Sequence, residues 1–195
     1  DNTDPPSASR LEMYPEGDVV LIIGSKKQQI RVDSACMKSA SPVFRAMFGP
    51  HFSEGQGLSN ASPKNIALPD DGYQAMRLLC AIIHHRHEIP PEDQSPRQIF
   101  DVVILSDKYD CHALLFYPSF QWLVPKPSHS VEDLLFLIGA SYSLKQAAAF
   151  ARITRALIYD NSSRYKFLYF SLSNIMPFNE SLIGKHTSFS TTGYH

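Results

Sequence analysis

Cys80, His84, His85 and His87 form the most metal-like cluster in the chain. Cys80 and His84 are four apart, which stacks two side chains on one helix face and would let a thiolate and an imidazole share a zinc ion. Cys80 also belongs to an apolar series, Met76, Leu79, Cys80 and Ile83, at i, i+3, i+4 and i+7, so its face turns to the core. The histidines close the same helix, where cationic side chains suit the dipole. The cluster therefore reads as structural, and no metal ligand is assigned. Cys111-His112 sets a thiol beside an imidazole. Adjacent helical residues do not face one another and no third orienting group follows, so no catalytic residue is assigned. Asp70-Asp71 is a carboxylate pair placed after Pro69, where it reads as the cap of the next helix. Gly24 is a lone turn glycine without a phosphate-binding loop. These residues predict no enzyme and no cofactor, with an undetected metal-dependent enzyme as the remote alternative.

Composition narrows the class. Of 195 residues, 44% are hydrophobic and 19% charged, with a net charge of -1, enough for one domain with a substantial core. Without bulk basicity, nucleic acid is not an expected partner. Lys26 and Lys27 read as a solvated hairpin tip. The three cysteines, Cys36, Cys80 and Cys111, are odd in number and lack a CxxC pair, which fits buried thiols in a reducing compartment. The N-x-S tripeptides at Asn60, Asn161 and Asn179 are attributed to chance. DNTDPPSASR lacks the apolar core of a signal peptide, and no apolar run reaches the ~20 residues of a membrane helix. An intracellular protein of the cytoplasm and/or nucleus, with no membrane partner, is expected.

The elements that position these residues follow from periodicity. Residues 1–16 are polar and carry Pro5, Pro6 and Pro15; they read as a flexible lead-in. Val19 to Ile23 is a continuous aliphatic run, as in a strand covered on both faces. Ile30 and Val32 alternate with Gln29 and Arg31, as in a half-buried strand, so the two make a hairpin. Ser34 to Ser39 reads as a short helix. Ser41-Pro42 and Ser95-Pro96 each place an N-cap residue before a first-turn proline. The first opens a helix burying Val43, Phe44, Met47 and Phe48. The second opens one burying Ile99, Val102 and Val103, widened by Phe100 and Ile104. Residues 49–65 read as a surface loop, Ile66 to Leu68 as a short strand. A shorter helix is expected to end near Tyr117-Pro118. Beyond Pro125 and Pro127, Val131, Leu134, Leu135 and Ile138 mark another helix. Ala147 to Ile158 is an alanine-rich one with Phe150, Ile153, Thr154 and Leu157 on one side. The aromatic run Tyr165, Phe167, Tyr169 and Phe170 has no assigned place.

Taken in order, GDVVLIIG, QQIRVDSACMKSASPVFRAMF, IALPDDGYQAMRLLCAIIHH and SPRQIFDVVILSDKYDCHAL resemble successive segments of a BTB/POZ domain, of the stand-alone type common in filamentous fungi. The resemblance implies an α+β fold: a small, mainly three-stranded sheet packed with about five helices, followed by C-terminal helices. The domains expected are a flexible segment over 1–16, a BTB/POZ domain over 17–124, a helical extension over 125–176 and a disordered tail over 177–195. The implied function is protein–protein interaction: self-association as a homodimer, or adaptor binding to a cullin-type ubiquitin ligase scaffold. The alternative is a transcription or chromatin regulator acting through protein contacts. In BTB transcription factors an aspartate opening the first strand pairs with a basic residue after the second. Asp18 matches the aspartate, but Asp33 and Ser34 occupy the positions where many relatives carry histidine and a cation, with Arg31 or Lys38 as possible substitutes. The domain-swapped dimer needs an N-terminal helix and strand, which residues 1–16 are not expected to make. The interaction residues assigned are Asp18, Arg31, Asp33, His84, His85, Arg86, Phe120 and Trp122.

Overall fold

A computed structural model describes residues 10–86 and 94–160. His87, the Pro90-Pro91 break, Asn161, Asn179, the aromatic run from Tyr165 and the tail lie outside the described residues. The hairpin forms as expected: β2 (Val19–Ile23) pairs antiparallel with β3 (Gln28–Val32), Leu21 opposite Ile30. Lys27, at φ 51°, and Gly24, at φ 66°, take the left-handed turn between them. β4 (Lys64–Leu68) adds parallel to β2, with Leu21 opposite Ile66.

The sheet has a fourth strand. β1 (Leu11–Glu12) runs parallel to β3, giving the order β1-β3-β2-β4. It lies in the segment read as a flexible lead-in, and its cause is long-range. The N–H groups of Met13 and Tyr14 donate to the Arg31 carbonyl. The Arg86 guanidinium, 73 residues on, donates to the Met13 carbonyl at 2.8 Å and to the Glu12 carbonyl at 3.1 Å. Gly17 then turns the chain into β2 against β3, where a Cβ would lie 2.2 Å from the Val32 carbonyl oxygen.

Both Ser-Pro signals are used. Ser41 caps α2 (Pro42–Met47), its Oγ accepting from the Phe44 N–H. The same hydroxyl donates to the Tyr109 carbonyl at 2.6 Å, tying α2 to the end of α4 (Pro96–Lys108). Ser95 and Gln98 close a capping box at the start of α4. Asp33 caps α1 (Ser34–Ala40) through the Cys36 N–H. α3 (Tyr73–Ile83) buries Met76, Leu79, Cys80 and Ile83, as its spacing requires. In α4 Phe100 packs on the core, but Ile104 is exposed.

Helix α5 (Phe116–Trp122) runs through Pro118, where a stop was expected. Pro118 stands in the first turn, whose N–H groups have no intrahelical acceptor, so the proline removes nothing. α6 (Val131–Ser143), with a Ser130–Asp133 capping box, packs between α4 and α7 (Ala147–Asp160). Its Gly139 lies under the Phe100 ring, where a Cβ would be 2.7 Å from a ring carbon. Leu134 through Ser141 are buried without interruption, and the core of the sheet continues through them to Ile153 and Leu157. Three helices end on left-handed residues, His85, Asp110 and Lys145, each inside a paired C-terminal turn.

Candidate interaction surfaces

The expected residues fall into two groups, one at the β1 edge and one on α5. At the first, Asp18 opens β2 and faces the start of α1. Its carboxylate accepts from the Ser34 N–H at 2.8 Å and from Ser34 Oγ at 2.7 Å. Ser34 thus supplies neutral donors where a cation was looked for. Arg31 does not substitute: its guanidinium donates to the carbonyls of Gly17 at 2.8 Å and Asn60 at 2.9 Å, and stands 3.8 Å from Glu12. Among the described residues Lys38 makes no bond to Asp18 either; its carbonyl receives Arg45.

His84 joins this group from the end of α3. Its Nδ1–H donates to the Cys80 carbonyl at 2.9 Å, and Nε2 accepts from the Asp33 N–H at 3.1 Å. Only a neutral ring does both. Burial holds its pKa below the usual histidine value, against the nearby Asp33 carboxylate. So Asp18, Arg31, Asp33, His84 and Arg86 do converge, around β1 and the start of α1. Each already has a partner within the chain.

Other candidate chemistry is internal too. Asp71 does not cap α3; the cap is Gly72, without a side-chain bond. Asp71 is only 5% exposed, and its carboxylate accepts from Lys108 Nζ and from the Tyr109 hydroxyl. Burial, then that hydrogen bond, pushes the Tyr109 pKa up, so the hydroxyl stays a donor. A cleft of about 970 Å³ lies above this network, between the hairpin tip and α4. Of its three acids, Asp71 and Asp101 are paired with Lys108 and Arg97, and Asp70 is exposed. Cys111 is buried and its thiol is pushed up to about 11 by burial and then by Asp110, away from the thiolate a nucleophile needs. His112 Nε2 lies 3.8 Å from Asp107 instead. Among the described residues, no three His, Cys, Asp or Glu side chains converge as a metal group would require.

The second group is open to solvent. The turn His112–Leu115 and α5 run beside α3, leaving a groove of about 570 Å³ between them. Leu78 and Ile82 of α3 line one wall; Leu114, Tyr117 and Pro118 line the other; His85 stands at its mouth. Tyr117 is 80% exposed, and Phe116 and Phe120 are also exposed. Their rings meet edge to face, Phe116 with Tyr117 at 5.2 Å and with Phe120 at 5.1 Å. Phe120 stands one turn on from Phe116 on the same side of α5, Tyr117 joins them through the Phe116 ring and lines the groove, and Val124 is exposed just past the helix end. Trp122 is 3% exposed and forms the floor. Of the two aromatics singled out from α5, Phe120 is therefore surface and Trp122 is core. Tyr117 was not among the interaction residues assigned; its part in the groove depends on α3, far away in sequence.

A family model, the BTB/POZ domain, matches residues 12–115, more than half of the chain and the span from β1 to the turn before α5. The chain belongs to the BTB/POZ family. The α+β architecture, a small sheet with seven helices among the described residues, agrees with that assignment. Comparison with curated proteins gives no match. BTB/POZ domains are protein–protein interaction modules, which directs attention to the open aromatic groove rather than to the satisfied polar cluster. α6 and α7 follow the matched BTB/POZ span in sequence. No helix among the described residues is long and apolar enough to cross a membrane.

Proposed function

We propose that this BTB/POZ chain is a non-enzymatic docking module that takes a helix of a protein partner into the α3–α5 groove, with a cullin-type ubiquitin ligase scaffold as the partner. The observation that carries the reading is the three-ring cluster of Phe116, Tyr117 and Phe120, exposed beside an apolar groove. Groups of exposed rings beside a concave apolar wall are the usual anchors of an interface, and a groove between helices accepts side chains presented at i, i+3 and i+4. The cullin assignment comes from family membership.

The test is titration calorimetry of the full chain with the N-terminal domain of a cullin scaffold. The expected result is saturable binding that Tyr117→Asp weakens at least tenfold, about 1.4 kcal/mol, with an unchanged circular dichroism spectrum. Folded protein that binds no cullin domain removes the cullin assignment. Binding that is indifferent to Tyr117→Asp and Phe120→Asp removes the groove.

A further inference from the structure

The chain has one tryptophan, Trp122. It is buried at the end of α5, where it floors the α3–α5 groove and also walls a second, smaller pocket of about 80 Å³. Its indole Nε1–H is enclosed and donates to no described residue. A buried N–H without an acceptor is unfavourable, so the chemistry around the ring decides what completes it. On the groove side its neighbours are the apolar walls of α3 and α5. The small pocket is polar.

Pro96 and Ile99 of α4 line it, with Gln121, Lys126 and His129. His129 Nδ1 accepts from the Lys126 N–H at 3.2 Å, so the neutral ring carries its proton on Nε2, which donates to no described residue. Lys126 is exposed, and its ammonium has no hydrogen-bond or ion-pair partner among the described residues. Indole N–H, imidazole N–H and ammonium are all donors, and none of the described lining residues is an acid. Asp133 acts on His129 from outside the pocket, its Oδ2 accepting from the N–H and the hydroxyl of Ser130. Pro96 begins α4 and His129 precedes the cap of α6, and the positive ends of both helices favour negative charge there.

We infer that this pocket binds a small oxyanion of the phosphate class, held by Trp122 Nε1, His129 Nε2 and the Lys126 ammonium. A ligand that only accepts suits a wall that donates from three sides, and charge strengthens each of those bonds. The volume of about 80 Å³ admits a single phosphate group and excludes a nucleotide. The phosphate belongs either to the free inorganic anion or to a phosphorylated side chain of a partner; the chemistry recognised is the same. The site is separate from the α3–α5 groove, with Trp122 as the wall between them, and does not depend on what the groove takes.

A lone tryptophan gives a single indole N–H resonance, which makes the test direct. The isotope-labelled full chain is titrated with inorganic phosphate from about 0.1 mM to about 50 mM, at one pH and with sodium chloride holding the ionic strength constant. The expected result is a saturable downfield shift of the indole N–H with one dissociation constant. Lys126→Gln and His129→Leu each raise that constant at least about fivefold, and Tyr117→Asp, in the groove, leaves it unchanged. A phosphoserine peptide that saturates at lower concentration than phosphate assigns the site to a phosphorylated partner; one that binds no tighter assigns it to the free anion. Should His129→Leu fail to fold, Lys126→Gln, at an exposed position, decides. An indole resonance that stays in place throughout the range overturns the inference, as does a shift indifferent to the folded variants or one lost in Tyr117→Asp.

Discussion

Replacing Asp71 with alanine separates a local role for this carboxylate from a long-range one. As a helix cap, Asp71 would be worth about 1 kcal/mol, regardless of what stands at residue 109. The structure places it instead in the core, accepting from Tyr109 across 38 residues of sequence and from Lys108 at 2.5 Å. Its removal leaves the Tyr109 hydroxyl, on a fully enclosed side chain, without an acceptor. An orphaned buried hydroxyl costs roughly 1–3 kcal/mol. The Lys108 ion pair adds at most about 1 kcal/mol, because its ammonium end is half exposed. The expected loss for Asp71→Ala is therefore about 3 kcal/mol, read as a lower urea midpoint at constant m-value. Asp70→Ala, on an exposed neighbour, shifts stability by no more than about 0.5 kcal/mol. Tyr109→Phe removes the stranded group, so in its background Asp71→Ala is milder, with a coupling of about 1–2 kcal/mol. Equal effects at Asp70 and Asp71, or additive effects at Asp71 and Tyr109, would refute the reasoning.

Two further outcomes follow from the helix ends. His84 is neutral when folded, and its pKa is held down by burial. The unfolded chain therefore binds a proton first, and stability present above the ordinary histidine range is lost as pH falls through it. Urea unfolding at pH 7.5 and 5.5 should show this loss diminished in His84→Gln; His129, also lowered by burial, contributes in both proteins and cancels in the comparison. Lys145 takes φ 56° at the end of α6, where glycine carries no Cβ penalty. Lys145→Gly should raise the thermal midpoint, with a stability gain of about 0.5–1 kcal/mol, and an unchanged or lower midpoint contradicts the assignment of strain there.

Features governed by near neighbours could be read from the sequence. Ser41-Pro42, Ser95-Pro96 and the Val19–Ile23 run each act within a few residues, and each forms the element its chemistry requires. β1 escaped because two residues show no periodicity and its anchors are Arg31 and Arg86. Asp71 was misjudged for the same reason: its position after Pro69 has a sound local meaning, and Tyr109 is distant in sequence. Ile104 matched the helical period of α4, yet it faces the open cleft beside the hairpin tip. Of the interaction residues, the family resemblance set Asp18 against the residues after β3, and the wider polar set assembles around β1, α1 and the end of α3. Its self-satisfaction could not be foreseen, because it depends on how Ser34 and Arg31 choose among acceptors. The groove needed α3 and α5 side by side, which no stretch of sequence displays.

The Phe100–Gly139 contact bears on where this molecule can be divided. The family match stops at residue 115, but cohesion does not stop there. A side chain inside the matched span rests on a glycine outside it, and α6, buried from Leu134 to Ser141, would expose that run if parted from α4 and α7. Shared ancestry and mechanical unity thus draw different borders across this chain. Any change that repacks α6 is felt by α4, and through the Ser41–Tyr109 link by α2, so the part of the protein outside the recognised module helps set the posture of the part within it.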